Sequence, residues 1–285
     1  MKRAPVAVVT GASSGFGLLS AVSLARHGFR VFATMRTLSR RDALDDAAAH
    51  AGVDLDLVAL DVTDHDSVGG AIGDIESAAG RIDVLVNNAG IAIAGLFEDL
   101  DLEELREQLE TNLLGMVRTS QAVLPGMRRR GGGRIVNVSS AGGRLPTPML
   151  SGYCGTKAAV DAISEALRIE ARRFGVLVSV VAPGTFRTEI FGRNRRVARR
   201  TSDVEGPDYE LNRRLERGVA RMLGQNHADP QRVANAVVVA ATARRPSGYY
   251  RVGADAQVGA IARRLLPEAL YEWGIRRYFD SLSRQ

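Results

Sequence analysis

Short apolar runs rich in β-branched residues alternate along this chain with longer stretches of helical periodicity. Strands are predicted at residues 6–9, 30–33, 55–60, 84–86, 134–138 and 176–181, and helices at residues 17–27, 41–51, 64–79, 102–130 and 151–174. This alternation is typical of βαβ units, in which right-handed crossovers build a parallel sheet with helices on both faces. The chain is therefore predicted to be an α/β protein with a doubly wound, Rossmann-like parallel sheet.

The regular alternation stops after Pro183-Gly184. Residues 185–228 are rich in Arg, Glu, Asn and Gly and show no strand pattern, so we predict a partly helical, mobile insertion that acts as a substrate lid. A helix at 229–243, capped by Asp229 with Pro230 at its first position, and a last strand at 249–252 resume the fold. Residues 254–285 are predicted to form a C-terminal helical extension, with a terminal helix at 267–282. A single domain spanning residues 1–285 accommodates these elements.

Composition narrows the class of protein. With 45% hydrophobic and 25% charged residues, the chain is of the ordinary folded, soluble type, and no apolar run approaches the ~20 residues of a transmembrane helix. Residues 1–9 are interpreted as a strand rather than a signal peptide, because Thr10-Gly11 follows at once, and a cytoplasmic protein is expected. Cys154 is the only cysteine, which excludes an intramolecular disulfide and a cysteine-built metal cluster, and no metal is expected.

The net charge of +6 raises the question of an anionic partner. Nearly all basic residues are arginines, since Lys2 and Lys157 are the only lysines, and this skew is more typical of genomic base composition than of selection for nucleic acid. The sequence also lacks zinc-finger spacing, an RNA-binding aromatic signature and a basic zipper. No nucleic-acid partner is expected.

A glycine-rich segment, residues 10–17, lies between the first predicted strand and the first predicted helix. Glycines there let the backbone turn tightly and approach a pyrophosphate, and the helix N-terminus offers amide donors. The alternative is a tight βα connection without a ligand. The cofactor contacts predicted in this segment are Gly11, Ser13, Ser14, Gly15, Phe16 and Gly17.

Two later strand ends carry polar residues that should lie at the same edge of the sheet. Asp61-Val62 follow the third predicted strand, and Asn88-Ala89-Gly90 follow the fourth. Ligands of open α/β sheets bind at this carboxyl edge. Each signal has a structural alternative, because Asp61 competes with Asp64 as a helix cap and Asn and Gly suit turns. Three such signals at successive strand ends favour a dinucleotide site.

The end of the second predicted strand bears on which dinucleotide is used. NAD-binding folds commonly place a carboxylate there against the ribose 2′-hydroxyl, whereas an arginine accommodates the 2′-phosphate of NADP. This strand is followed by Arg36 and carries no carboxylate. NADP(H) is therefore the predicted cofactor, with a solvated basic loop containing Arg36, Arg40 and Arg41 as the alternative.

Tyr153 and Lys157 are four residues apart on a predicted helix, so they share one face with Cβ atoms roughly 5–6 Å apart. A tyrosine has a reference pKa of about 10, and a neighbouring ammonium together with a positively charged nicotinamide would favour the phenolate. Ser140, at the end of the fifth predicted strand, can donate to a carbonyl or alkoxide oxygen. A surface pair is the alternative, but one of only two lysines occupies this position.

With these motifs in place, the chain resembles the single-domain short-chain dehydrogenases/reductases over about Pro5 to Val252, with every signal in the family's order. The resemblance implies a catalytic set of Asn112, Ser140, Tyr153 and Lys157, in which Asn112 holds a water of a proton relay and Lys157 binds the nicotinamide ribose. It also implies cofactor contacts at Pro183, Gly184 and Thr188 and a homodimer or homotetramer. The Arg36 pattern is similar to NADP-using steroid and retinoid dehydrogenases and their bacterial relatives, although Phe16 replaces their usual aliphatic residue.

The predicted substrate pocket is largely apolar. Its wall combines Leu145, Pro146 and Met149 with Phe186, Ile190 and Phe191, which favours a lipophilic ketone, aldehyde or alcohol. The alternatives are that these residues pack the lid against the body, or that the nearby arginines attract a carboxylate. Those arginines are Arg187, Arg193, Arg195 and Arg196.

Taken together, the sequence predicts an NADP(H)-dependent oxidoreductase that exchanges a hydride with a small carbonyl or alcohol substrate. Two other functions stay open. One is an epimerase or dehydratase that retains its nicotinamide, although such proteins usually have a larger substrate domain and a differently spaced glycine turn. The other is a non-catalytic cofactor-sensing protein, although such proteins typically lose the equivalent of Tyr153 or Lys157, and both are present here.

Overall fold

A computed structural model describes residues 3–190, 196–225 and 227–283. The strands are β1 Val6–Val9, β2 Arg30–Met35, β3 Asp56–Ala59, β4 Val84–Asn87, β5 Ile93–Ala94, β6 Gly133–Val138, β7 Val176–Pro183, β8 Arg196–Val197 and β9 Tyr249–Val252. The helices are α1 Gly15–Arg26, α2 Asp42–Ala51, α3 His65–Ala79, α4 Leu102–Leu109, α5 Gly115–Arg129, α6 Ser151–Arg172, α7 Tyr209–Gln225, α8 Gln231–Thr242, α9 Ala254–Leu265 and α10 Glu268–Ser283.

Seven strands form one parallel sheet in the order β3-β2-β1-β4-β6-β7-β9. The order reverses between β1 and β4, which makes this the switch point at which open α/β sheets bind ligands. The prediction of a doubly wound parallel sheet is confirmed.

The central strand β1 is buried on both faces, as its unbroken apolar sequence requires. Successive side chains point to opposite faces of a strand. Ala7 and Val9 accordingly join a core that includes Leu24, while Val6 and Val8 join a second core on the other face. Burial on both faces holds the carboxyl end of β1 rigidly in the middle of the molecule.

A buried polar network ties the middle of the sheet to two helices. The Asn87 side-chain amide donates to Ser120 Oγ at 2.9 Å and to Asn137 Oδ1 at 2.8 Å, and Asn137 donates to Ser164 Oγ at 2.8 Å. Because buried amides are stable only when their hydrogen bonds are made, this network fixes α5 and α6 against the ends of β4 and β6.

Two features differ from the sequence-based prediction. The helix predicted at 102–130 is divided into α4 and α5 by a single π-helical turn, Glu110–Leu114. Within 185–228, where no strand was expected, Arg196–Val197 pairs with Ile93–Ala94 in a small parallel ladder. Strands of two residues are too short for an alternating pattern to be recognised.

The chain beyond β8 forms α7, which packs on the last helix, α10. A β-carbon at Gly218 of α7 would lie 2.5 Å from the Leu282 carbonyl oxygen, so the two backbones are in close contact.

Helices long and apolar enough to cross a bilayer are lacking in the described ranges.

Candidate active site

A cleft of about 490 Å³ opens along the carboxyl ends of the strands, at the switch point of the sheet. Almost all predicted cofactor residues line it. They are Gly11, Ser13, Ser14, Gly15, Phe16, Arg36, Asp61, Val62, Asn88, Ala89, Gly90, Tyr153, Lys157, Pro183, Gly184 and Thr188. Gly17 is the member of the predicted set that does not line the cleft.

The glycines of the turn after β1 each have a geometric reason. Gly11 and Gly15 have φ values of +65° and +56°, which side chains rarely adopt. A β-carbon at Gly17 would lie 2.3 Å from the Gly11 carbonyl oxygen, so only glycine lets α1 approach the turn this closely. A β-carbon at Gly15 would meet only Thr188 Cβ, at 3.7 Å. The turn therefore keeps its backbone uncovered at the N-terminus of α1.

Asn88 supports this turn from the next strand. Its side-chain amide donates to the carbonyl oxygens of Thr10 and Gly11, at 3.0 and 3.1 Å. In return, Thr10 Oγ1 accepts from the backbone N–H groups of Asn88 and Ala89, at 3.0 and 3.1 Å. Asn88 thus holds the glycine turn in shape, and Thr10, which the sequence analysis did not single out, is its partner.

The two interpretations of Asp61 are now distinguishable. Asp64 caps α3, accepting from the N–H groups of Asp66 and Ser67 at 2.8 and 3.0 Å. Asp61 instead accepts from Thr63 N and Oγ1 at 2.9 and 2.7 Å, within a turn that borders the cleft. Asp61 is therefore not a helix cap, and its carboxylate lies at the cofactor edge.

Arg36 follows β2 and is exposed where the cleft opens, close to Thr37 and Arg40. A carboxylate from α4 lines the same cleft, because Glu107 hydrogen-bonds with Arg196 of β8 at 2.5 Å. That hydrogen bond, helped by the charges of Arg196, Arg36 and Arg199, outweighs the opposing effect of burial and sets the pKa of Glu107 below its usual value. Sequence reasoning missed Glu107, since its partner is distant in the chain.

Tyr153, Lys157 and Ser140 come together at the inner end of the cleft. Tyr153 is 7% and Lys157 is 5% exposed, so the pair is not a surface contact. The Lys157 ammonium lies 5.7 Å from the centre of the Tyr153 ring and donates to the Val138 carbonyl at 2.9 Å. Ser140 Oγ accepts from Gly142 N at 3.1 Å and hydrogen-bonds with Tyr153.

Burial dominates the protonation of this pair. It raises the pKa of Tyr153 to about 12, against the lowering effect of the Ser140 hydrogen bond. It lowers the pKa of Lys157 to about 8, although the charge of Asp161 acts in the opposite direction. Burial therefore favours the phenol form of Tyr153, whereas the phenolate expected from the sequence also depends on the positive charge of a bound nicotinamide.

Asn112 lies in the π-helical turn between α4 and α5 and is 2% exposed. Its side-chain oxygen accepts from Ile91 N at 2.8 Å, and its amide donates to Ile91 O and Thr156 Oγ1 at 2.9 and 3.0 Å. A β-carbon at Gly90 would lie 3.1 Å from Asn112 Oδ1 and 3.6 Å from Lys157 Nζ, so both flank one glycine. The Asn112 side chain therefore fixes the loop after β4 beside Lys157.

The predicted substrate residues do not all share one cavity. Phe186 and Ile190 line the catalytic cleft, and Phe186 packs edge-on against Phe16 with 5.7 Å between ring centres. Met149 is buried, with a φ of +67°, and is not part of the lining. Leu145 lies with Pro146 in a second groove of about 310 Å³ beside α9 and α10.

The remaining residues of that prediction are the arginines and Phe191. Arg187 is exposed, and Arg196 is paired with Glu107 as described. Phe191, Arg193 and Arg195 lie outside the described residues. The aromatic contact also explains why Phe16 departs from the usual aliphatic residue, since its ring packs on Phe186.

The cleft fits a dinucleotide. Its glycine turn offers uncovered backbone N–H groups at a helix N-terminus, where a pyrophosphate is stabilised. Among the described residues, by contrast, no group of three or more His, Cys, Asp or Glu side chains is placed to hold a metal ion. The residues that would hold the cofactor are those of the glycine turn, Arg36, Asp61, the segment 88–90 and Lys157.

Comparison with known proteins agrees with this geometry. The sequence profile described as short chain dehydrogenase matches residues 5–198. The uncharacterized oxidoreductase YusZ of Bacillus subtilis (strain 168) is 38% identical over 270 residues, which are 94% of this chain and 95% of the relative. The 3-ketodihydrosphingosine reductase of Bacteroides thetaiotaomicron is 33% identical over 275 residues, 96% of this chain and 97% of the relative.

A solved structure, that of an actinorhodin polyketide ketoreductase with NADPH, superposes with a TM-score of 0.75 at 30% identity. The superposition covers 89% of this chain and 97% of the ketoreductase.

Proposed function

This chain belongs to the short-chain dehydrogenase family of oxidoreductases, and from that premise we propose that it is an NADP(H)-dependent reductase of a lipophilic ketone or aldehyde, with Tyr153 as the proton donor. The observation that carries the proposal is the buried convergence of Tyr153, Ser140 and Lys157 at the inner end of the dinucleotide cleft.

Tyr153 is suited to give a proton during reduction. A phenol with a pKa raised to about 12 holds its proton at neutral pH and can give it to an oxygen on which negative charge develops. The hydroxyl of Ser140, hydrogen-bonded with Tyr153, is placed to donate to the same oxygen. The chemistry that a bound nicotinamide supplies is the hydride for the carbonyl carbon.

Lys157 has a positioning and an electrostatic part in this proposal. Its ammonium would bind the ribose hydroxyls of the nicotinamide half and favour negative charge at Tyr153 once the proton has left. Asn112, on the other side of Gly90, would complete a relay that returns a proton to Tyr153. Because both side-chain amide hydrogens of Asn112 are already used by Ile91 and Thr156, the relay would use one of its oxygens.

Arg36 supports the choice of NADP(H). Its guanidinium borders the cleft beyond β2, and β2 ends without a carboxylate, so the position suits a 2′-phosphate rather than a free 2′-hydroxyl. The ketoreductase that superposes on this chain was solved with NADPH.

The substrate class follows from the inner wall of the cleft. Phe186, Ile190 and Ile91 line it next to Tyr153, and Ile190 packs with Tyr153 in a small apolar cluster. Such a wall favours an apolar carbonyl compound. A relative of nearly equal length is a 3-ketodihydrosphingosine reductase, an enzyme of a lipophilic ketone by its name.

The proposal also assigns roles to the lid, to the C-terminal extension and to three helices on the surface of the domain. Residues 185–228, which include Phe186 and Ile190, would act as the substrate lid, and residues 254–285 as a helical extension that supports it. As in many family members, α4, α5 and α6 would form the contacts of a homodimer or homotetramer.

The test is a panel of carbonyl compounds from small polar to long-chain apolar, with the loss of NADPH absorbance as the readout. We expect turnover of apolar ketones or aldehydes and its loss by roughly 10²- to 10⁴-fold in Tyr153→Phe, with NADPH binding retained. Tyr271→Phe, a tyrosine outside this cleft, is the matched control. Full activity of Tyr153→Phe refutes the mechanism, whereas substrate conversion without net NADPH loss favours an epimerase or dehydratase, and binding without turnover favours a sensor.

A further inference from the structure

A buried carboxylate lies one helical turn beyond Lys157. Asp161 follows Lys157 by four residues on α6, so the two side chains lie on the same face of the helix. Asp161 is 6% exposed and Lys157 5%. Opposite charges at this spacing interact strongly when water is excluded.

Asp161 is held by donors from two other elements. Its Oδ2 accepts from the Tyr249 hydroxyl of β9 at 2.9 Å and from Arg144 Nε, in the loop after β6, at 3.2 Å. The Arg144 guanidinium also stacks over the Tyr249 ring at 4.0 Å. Two donors on one oxygen, one of them a cation, favour an ionised carboxylate.

The other oxygen of the Asp161 carboxylate accepts no such hydrogen bonds from the described residues. Asp161 Oδ1 is buried and has no hydrogen-bond partner within the part of the chain that the structure describes. A buried carboxylate oxygen without a donor is costly, and the fold retains it one helical turn beyond Lys157.

The charged and titratable groups around the pair are few. The Lys157 side chain is faced by Tyr153 and Asp161 from α6 and by Asn112 across Gly90, and its ammonium donates to the Val138 carbonyl at the end of β6. Beyond Asp161, Glu165 lies 3.9 Å from Arg144, and Arg251 lies 5.0 Å from the Tyr249 ring. Among these, Asp161 is the buried anion on the helix face of Lys157.

We propose that Asp161, anchored by Arg144 and Tyr249, is a positioning residue whose negative charge keeps Lys157 in the ammonium form inside the cleft. Its catalytic meaning rests on the function proposed above for Lys157, but the charge coupling itself does not. The pKa of Lys157, lowered by burial to about 8, is held up by Asp161. Without that carboxylate the lysine would lose its proton near neutral pH.

The sequence makes a direct test possible, because the chain has only two lysines, Lys2 and Lys157. The full-length protein labelled with carbon-13 lysine gives two ε-methylene signals by NMR, and a Lys2→Arg background leaves the Lys157 signal alone. Titration of that signal from neutral to alkaline pH then reports the protonation of Lys157 without substrate, cofactor or turnover.

We expect Asp161→Asn to move the Lys157 midpoint down by roughly one pH unit. Glu165→Gln is the matched control, since it removes a carboxylate one turn further along α6 whose side chain is 58% exposed, and the midpoint should stay in place. If Asp161→Asn does not fold, Arg144→Gln removes the cation that opposes Asp161, and the midpoint should then rise.

Activity provides the second readout. The limb on which NADPH-dependent turnover falls with rising pH should move to lower pH in Asp161→Asn by the same amount. An unchanged Lys157 midpoint in Asp161→Asn, or equal shifts in Asp161→Asn and Glu165→Gln, overturns the proposal and leaves Asp161 a structural link. If the midpoint shifts but no carbonyl compound is turned over, the coupling stands and the proposed function fails.

Discussion

Replacing Lys157 by methionine should make this protein more stable at neutral pH while it removes the ammonium from the cleft. Methionine has a similar length and fills the same space with an apolar side chain. Lys157 is nearly inaccessible to water, and burial lowers its pKa from 10.5 to about 8. The wild-type protein therefore carries the penalty of a buried charge that the variant lacks.

The magnitude follows from the pKa. One pH unit corresponds to about 1.4 kcal/mol, so a fall from 10.5 to about 8 makes the buried ammonium cost about 3 kcal/mol in folding free energy. Methionine cannot replace the hydrogen bond to the Val138 carbonyl, which is made at 2.9 Å, and its loss costs about 1 kcal/mol. The net expectation is a gain of about 2 kcal/mol, or a Tm higher by about 5 °C.

The sign of the pH dependence is fixed by the same values. Below pH 8 the lysine is protonated in both the folded and the unfolded chain, so the full penalty applies. As pH rises from about 8 to 10.5, Lys157 loses its proton in the folded chain before it does so in the unfolded chain. The wild-type protein therefore gains stability relative to the variant. The advantage of Lys157→Met should therefore shrink across this range.

Urea unfolding followed by far-ultraviolet circular dichroism, at neutral pH and near the upper end of this range, measures both differences. Titration of the groups remote from Lys157 cancels because the two proteins share them. A variant that is less stable than the wild type at neutral pH, or an advantage that does not change with pH, would refute the reasoning.

Three further predictions concern the cofactor end. Gly17→Ala should destabilise the fold by roughly 1–3 kcal/mol and weaken NADPH binding, because its β-carbon would lie 2.3 Å from the Gly11 carbonyl. Gly69→Ala, with open space around its helical position, should be neutral or stabilising, and equal losses in urea unfolding would contradict the contact. Arg36→Asp should weaken NADPH binding by roughly 10- to 100-fold and NADH binding far less, as measured by titration calorimetry; equal losses would remove Arg36 from the 2′-phosphate site. Asn88→Ala should weaken NADPH binding by roughly tenfold with unchanged helix content, since two carbonyls of the glycine turn lose their donor; unchanged affinity would show that the turn holds its shape without Asn88.

The central sheet and most of the cleft could be predicted because their signals are local. A run such as Val6–Val9 is apolar at each position only if both faces are covered, and it is an interior strand of the sheet. The carboxyl ends of parallel strands meet at one edge, so residues 11, 61 and 88 converge even though they are far apart in the chain. The spacing of Tyr153 and Lys157 is likewise set by one helical turn.

Contacts that join distant segments left no local signal. The β5–β8 ladder, the hydrogen bond between Glu107 and Arg196, and the links from Asp161 to Arg144 and Tyr249 each depend on which surfaces meet after folding. The position of Leu145 is another case. Leu145 follows Ser140 by only five residues, but its side chain lies with residues of α9 and α10 in the second groove.

The sequence by itself determined the parallel sheet, the place of the dinucleotide cleft and the identity of the residues at its chemical end, because backbone periodicity and strand direction are properties of short segments. The protonation of those residues was decided only by the tertiary structure. The sequence placed a lysine one helical turn from Tyr153 but could not show how deeply either side chain is buried. Elements distant in sequence exclude water from both, and the resulting desolvation raises the pKa of Tyr153 and lowers that of Lys157.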